Sequence, residues 1–178
     1  MAPRKGRAAV AHPTPGTPKA VSPLPPVACK PGLAAVPAGG DVYTVDGVLT
    51  DGECRLLIQA AEALGFAHQG SRGPAAGEAV RDNGRLALAD ARWAAGLWRV
   101  LRPAVVGALP QADAELVVGL YDHIRVYRYA PGQVFGRHYD DAVAVGPGLR
   151  TRFTLLVYLS AVEAGGETLF YGQWERRG

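Results

Sequence analysis

Apolar residues recur at helical intervals in the first half of the chain and at strand intervals in the second. Thr50 and Glu53 have the spacing of a capping box, in which each side chain satisfies the other's backbone N–H. Behind them Cys54, Leu57, Ile58, Ala61 and Leu64 fall on one helical face. A second helix is predicted from about Asp90 to Leu101, with Trp93, Leu97, Trp98 and Leu101 as core residues and Pro103 as its stop. The Gly-, Ala- and Ser-rich stretch 70–78 reads as a loop between the two. Before the first helix, residues 42–45 read as a short strand. From about Leu116 the period becomes extended: residues 123–129 are β-branched and aromatic and end at Pro131-Gly132. In 153–159, Thr154, Leu156 and Tyr158 alternate with Leu155, Val157 and Leu159, so both faces of that strand are expected to be covered, and 166–171 supplies another strand. Helices first and strands afterwards predict an α+β fold, a helical layer over 50–110 backing a β-sandwich or jelly roll over 116–172.

Composition divides the chain further. Residues 1–40 are Ala-, Pro-, Gly- and Val-rich with almost no large apolar side chains, which predicts a disordered basic tail ahead of one domain over 41–178. The formal charge of +3 is a product of that tail, which holds five basic residues and no acid; fourteen basic against sixteen acidic residues leave the rest at −2. Such a domain lacks the basic surface of a nucleic-acid binder. Cys29 and Cys54 lie in dissimilar settings and suggest neither a disulfide framework nor a zinc knuckle. No apolar run is long enough for a membrane helix, and the N-terminus lacks the apolar core of a secretion signal. A soluble protein of the cytoplasm or nucleus is expected, with organelle targeting by the tail as the alternative.

His138-Tyr139-Asp140 sets an imidazole and a carboxylate two residues apart, so an extended backbone points both to one side. That pairing suits a 2-His-1-carboxylate facial triad, in which three protein ligands take one face of an octahedral Fe(II). The pair alone is a weak signal, and its surroundings carry the weight. The blocks 128–133 (Arg-Tyr-Ala-Pro-Gly-Gln), 135–140 (Phe-Gly-Arg-His-Tyr-Asp), 154–160 (Thr-Leu-Leu-Val-Tyr-Leu-Ser) and 165–172 (Gly-Gly-Glu-Thr-Leu-Phe-Tyr-Gly) follow in order. Together they resemble the prolyl 4-hydroxylase-like branch of the 2-oxoglutarate- and Fe(II)-dependent oxygenases, of plant and algal type. The likeness extends more loosely from about Val45 to Leu109, where Arg81, Asn83 and Arg85 also match.

The resemblance implies a jelly-roll dioxygenase that hydroxylates a peptidyl, prolyl C–H bond while dioxygen decarboxylates 2-oxoglutarate, with Fe(II), 2-oxoglutarate and ascorbate as cofactors. It assigns His138 and Asp140 to the metal and the Tyr129 hydroxyl to 2-oxoglutarate. Thr154 and Tyr158 would line the same pocket, and Thr168 would stand near it. On their own, Tyr129 and Tyr158 read as core aromatics and Arg137 as a solvated charge; Asp141 competes with Asp140 but has the wrong spacing. The partner implied is a peptide or protein, with no membrane; neither composition nor resemblance sets the oligomeric state.

The family's third iron ligand is a histidine well beyond the Gly-Gly block, followed by a Lys or Arg for the distal carboxylate of 2-oxoglutarate. No histidine follows His138, and His12, His68 and His123 are not placed like the missing ligand. The expectation is therefore a chain truncated at its C-terminus, holding only the first half of the jelly roll, inactive alone and marginally stable because strands lack lateral partners. The alternatives are a catalytically incompetent fragment with a binding role, an oxygenase of the same class acting on a nucleobase, and a cupin-like binding module.

Overall fold

In the computed structural model, residues 22–70 and 79–171 are described. The first ordered feature is a strap, residues 22–34, leading into strand β1 (Ala35–Gly39), which pairs antiparallel with β2 (Val42–Val45). The tail expected to be disordered through residue 40 is thus placed from residue 22 onward, and residues 1–21 lie outside the described residues. Hydrogen bonds rather than apolar bulk hold the strap. The Trp93 indole N–H donates to the Pro25 carbonyl at 3.0 Å, the Ala28 N–H donates to Glu53 at 2.8 Å, and Ser22 meets Asp90. Leu24 is its single apolar anchor, 4% exposed. Composition reports how much apolar surface a segment brings, not which polar partners another element offers it.

Helix α1 (Asp51–Leu64) begins at the expected capping box: Thr50 accepts from the Glu53 N–H, and the Glu53 carboxylate accepts from the Thr50 N–H at 2.8 Å. It ends at Gly65, whose φ of 86° permits the exit and whose N–H still reaches the Ala61 carbonyl. Strand β3 (Ala67–Gly70) follows directly, and β4 (Asp82–Ala89) lies after residues 71–78, so the expected loop there falls outside the described residues. Two strands therefore sit inside the region predicted to be helical. Helix α2 (Ala91–Ala108) is capped by Asp90, which accepts from the Trp93 N–H at 2.9 Å. It runs through Pro103 instead of stopping there. The proline forfeits one backbone bond at a cost of about 3 kcal/mol. Burial of Val100, Leu101 and Ala104 on one side of the helix offsets that cost.

After the short helix α3 (Gln111–Ala114), β5 (His123–Arg128) completes a three-stranded antiparallel sheet in the order β3-β4-β5. Its register pairs Gly84 with Arg128, Arg85 with Tyr127 and Ala87 with Arg125. A last hairpin joins β6 (Ala144–Gly146) and β7 (Leu149–Arg150). The core lies in the helical part: Leu57 and Ala61 of α1, Ala94, Leu97, Val100, Leu101 and Ala104 of α2, and Leu24 of the strap are buried. Trp93 and Trp98 are half-buried at its margin rather than central.

The strands expected over 153–159 and 166–171 join no ladder among the described residues. Most of their apolar side chains stand in solvent, from 41% exposed at Phe153 to 64% at Leu169, while Val157 and Leu159 are half-buried. Strand propensity is expressed only where a neighbour accepts the backbone hydrogen bonds, and none of the described segments does so here. The architecture is accordingly mixed α and β with antiparallel sheets, and no closed barrel forms among the described residues. No described helix is long and apolar enough to cross a membrane.

Candidate metal-binding site

Strand alternation places Arg81, Asn83 and Arg85 on the same face of the sheet as Tyr127. The segment 133–136 crosses the end of β4 and is fastened to it. The Asp82 N–H donates to the Val134 carbonyl at 2.9 Å, the Gly136 N–H to the Val80 carbonyl at 2.8 Å, and the Gln133 amide to Asp82 at 3.1 Å. A Cβ at Gly136 would stand 3.4 Å from the Val80 carbonyl oxygen, at the edge of ordinary contact, so the backbone bonds rather than the absent side chain hold the crossing. Phe135 consequently lies under the Arg81 guanidinium at 4.6 Å and against Tyr127 at 6.3 Å between ring centroids. His138 stacks on the other side of this cluster, its ring 3.8 Å from that of Phe135 and within 9° of parallel.

The imidazole is held in one tautomer. Its Nδ1 lies 2.8 Å from the Gly136 carbonyl, which can only accept, so Nδ1 carries the proton. Nε2 is then the nitrogen turned toward Asp140, whose Oδ1 is 3.4 Å away. With Nε2 protonated the two form an ion pair, and with Nε2 free of its proton they offer a nitrogen and an oxygen donor to a metal. Two donors on adjacent corners of an octahedral ion, with bonds of about 2.1 Å, lie about 3.0 Å apart. The observed separation is close to that, and an imidazole oriented by a carbonyl on its far nitrogen is the usual support of a metal-bound histidine. His138 and Asp140 therefore fit two positions of a metal site. Among the described residues no cluster of three His, Cys, Asp or Glu side chains occurs.

The remaining sequence-predicted residues are distributed as follows. Tyr129 adjoins Tyr127, 6.4 Å between centroids, and lines a cleft of about 380 Å³ with Phe66, His68, Gly84, Arg128 and Gln133. Burial raises its hydroxyl above the ordinary value of 10.0; Tyr127 adds to that shift and Arg81 opposes it. Tyr158 and Thr168 meet through their hydroxyls, whereas Thr154 stands exposed. Arg137 covers the Tyr171 ring at 5.2 Å, which brings the end of 166–171 beside the residue preceding His138. Asp141 is exposed, His68 faces Asp82 at 3.4 Å, and His123 stacks on Tyr121. His12 lies outside the described residues. Sequence reasoning passed over Phe135 as a ring platform and Arg81 as its partner. The alternation Arg81-x-Asn83-x-Arg85 was the available signal, a polar stripe at strand period.

No family model matches the chain, and no solved structure matches it. It is 30% identical over 142 residues to prolyl 4-hydroxylase 2 of Arabidopsis thaliana, an alignment covering 72% of this chain and 42% of that protein. The chain thus spans less than half the length of this curated relative. The likeness is to a prolyl hydroxylase, over part of that protein's length.

Proposed function

We propose that the chain supplies two metal ligands and part of the co-substrate pocket of an Fe(II)- and 2-oxoglutarate-dependent oxygenase of prolyl 4-hydroxylase type, built on jelly-roll strands and acting on a prolyl peptide. The observation that carries this reading is the 3.4 Å approach of His138 Nε2 to Asp140 Oδ1, with Nδ1 held by the Gly136 carbonyl. When bound, Fe(II) with 2-oxoglutarate and dioxygen supplies the C–H hydroxylation, and ascorbate serves as reductant. His138 and Asp140 hold the metal, and the neutral Tyr129 hydroxyl donates to a co-substrate carboxylate. Thr154 and Tyr158 extend that pocket, and the Phe135 ring shields one face of His138 from water.

Titration with Mn(II) or Co(II) under anaerobic conditions, followed by calorimetry, tests the ligand pair. His138→Ala and Asp140→Asn are each expected to weaken binding by at least about tenfold; affinity equal to that of the unaltered chain overturns the assignment. A second reading, binding without turnover, is favoured by the lack of a third ligand among the described residues. Succinate formation from 2-oxoglutarate in the presence of Fe(II) separates the two, since only the oxygenase produces it.

A further inference from the structure

Side chains, and no strand ladder, fasten the strap 22–34 to the helices. Ser22 meets Asp90, the Trp93 indole N–H reaches the Pro25 carbonyl, and Ala28 and Lys30 both bond Glu53. Leu24 is the buried anchor. A segment held by so few contacts opens at a lower free energy than the core it covers.

The contact at Ser22 is the one most sensitive to charge. Asp90 is 6% exposed and held at both ends: its Oδ1 caps α2 by accepting from the Trp93 N–H at 2.9 Å, and its own N–H donates to the Asp122 carbonyl at 2.9 Å. The remaining oxygen, Oδ2, accepts from the Ser22 hydroxyl. The Leu24 carbonyl lies 2.9 Å from the same Oγ, and the Leu24 N–H stands on its other side at 3.2 Å. A carboxylate and a carbonyl together favour a group with a proton to give and oppose an anion.

Ser22 is followed by Pro23, and the tail repeats the pattern at Thr14-Pro15 and Thr17-Pro18, which lie outside the described residues. A Ser or Thr before Pro is the acceptor of proline-directed protein kinases, whose pocket takes a following residue that lacks an N–H. Ser22 is half-buried and Pro23 exposed, so the open strap is the form such a kinase takes. The transfer forms a bond from Ser22 Oγ to the γ-phosphorus of ATP as the bond to the β-phosphate oxygen breaks; the hydroxyl proton leaves, and ADP departs. The product carries a charge of about −1.5 to −2 where a donor stood, against a carboxylate that is fixed in place.

We propose that Ser22 is a phosphorylation site that switches the strap: the hydroxyl holds it closed on Asp90, and the phosphate, repelled by Asp90, holds it open. The same repulsion prevents reclosure, so phosphorylation and the closed strap exclude one another. The switch is independent of any metal at His138 and Asp140.

Amide hydrogen exchange on the full chain, read by mass on peptides spanning 24–33, tests it. With phosphoserine encoded at position 22, exchange there is expected to be at least about tenfold faster than in the unaltered chain. Ser22→Ala, which loses the bond but adds no charge, accelerates it less. Asp90→Asn keeps a capping side chain on α2 and removes the repelling charge, so phosphoserine opens the strap less in that variant. In a second arm, Thr14→Ala with Thr17→Ala leaves Ser22-Pro23 as the one Ser/Thr-Pro dipeptide in the sequence. A mitogen-activated protein kinase with ATP is expected to phosphorylate Ser22 in that chain, and faster when Glu53→Gln loosens the strap. Phosphate absent from Ser22 in both chains overturns the proposal. So does exchange left unchanged or slowed by phosphoserine, the result if Arg92 at the start of α2 captured the phosphate. Opening equal to that in Ser22→Ala, or undiminished in Asp90→Asn, overturns it as well. Should Asp90→Asn not fold by circular dichroism, the comparison with Ser22→Ala decides.

Discussion

His138 can present either ring nitrogen to a neighbour, and the 2.8 Å bond from Nδ1 to the Gly136 carbonyl selects Nε2 for Asp140. The selection depends on backbone placement, because Gly136 is itself fixed by its bond to Val80. Tyr129 is tuned in a different way. Burial, reinforced by Tyr127 and opposed by Arg81, favours its neutral form, so toward a carboxylate it acts as a donor. Difference absorbance titration of the unaltered chain against Tyr129→Phe should show one tyrosinate step above the ordinary 10.0. A step at or below that value contradicts the partial desolvation of this hydroxyl. The same substitution should weaken 2-oxoglutarate binding by roughly 0.5–1.5 kcal/mol, the net value of one neutral hydrogen bond.

At the scale of elements, the start of α1 is a junction between chain segments. Glu53 receives the Thr50 N–H, the Ala28 N–H and the Lys30 ammonium, the last at 2.7 Å. Burial alone would raise its pKa, yet the bonds from Lys30, Thr50 and Ala28 outweigh it and hold the carboxyl at about 2, below the ordinary 4.5. A depressed carboxylate contributes its full stabilisation above the unfolded-state value and loses it on acidification. The strap and the N-terminus of α1 should therefore loosen as pH falls from 4.5 toward 2. Thermal melts over that window should show a falling midpoint, and Glu53→Gln should flatten this part of the pH dependence. An unchanged slope in the variant counts against the junction. Trp93, bonded to Pro25, reports the same loosening through its fluorescence.

For the whole molecule, the division between a buried helical core and an exposed C-terminal stretch dominates behaviour. Leu97 and Leu101 are 2% and 1% exposed, whereas Leu156, Tyr158 and Phe170 are 54%, 63% and 61% exposed. Strand-forming residues with free backbone groups and apolar side chains are templates for intermolecular pairing. The chain should bind a hydrophobic dye under native conditions and grow in apparent size with concentration in light scattering. Leu156→Lys combined with Phe170→Glu should suppress both effects without altering the helical circular-dichroism signal. A monomer at all concentrations that leaves the dye dark refutes this account.

Much that depends on near neighbours along the chain was legible. The Thr50–Glu53 box located the start of α1 to the residue, because capping acts across three positions, and apolar periodicity placed the start of α2 at about Asp90. The strands at 42–45 and from His123 were readable from alternation and β-branched content. The spacing of His138 and Asp140 likewise foretold that their side chains would meet. Decisions between distant segments were not legible. The strap is ordered by Asp90, Trp93 and Glu53, far along the chain, so its own composition was misleading. The helix through Pro103 depends on burial beside Ala104, and the open state of 153–171 depends on which strands lie alongside. By itself the sequence determined where local hydrogen bonds begin helices and which two side chains share one side of an extended turn. Only the tertiary structure decided which face of β4 meets Phe135 and His138, and that Arg85 and Asn83 are left there without partners, since burial and ladder pairing are properties of segments brought together from across the chain.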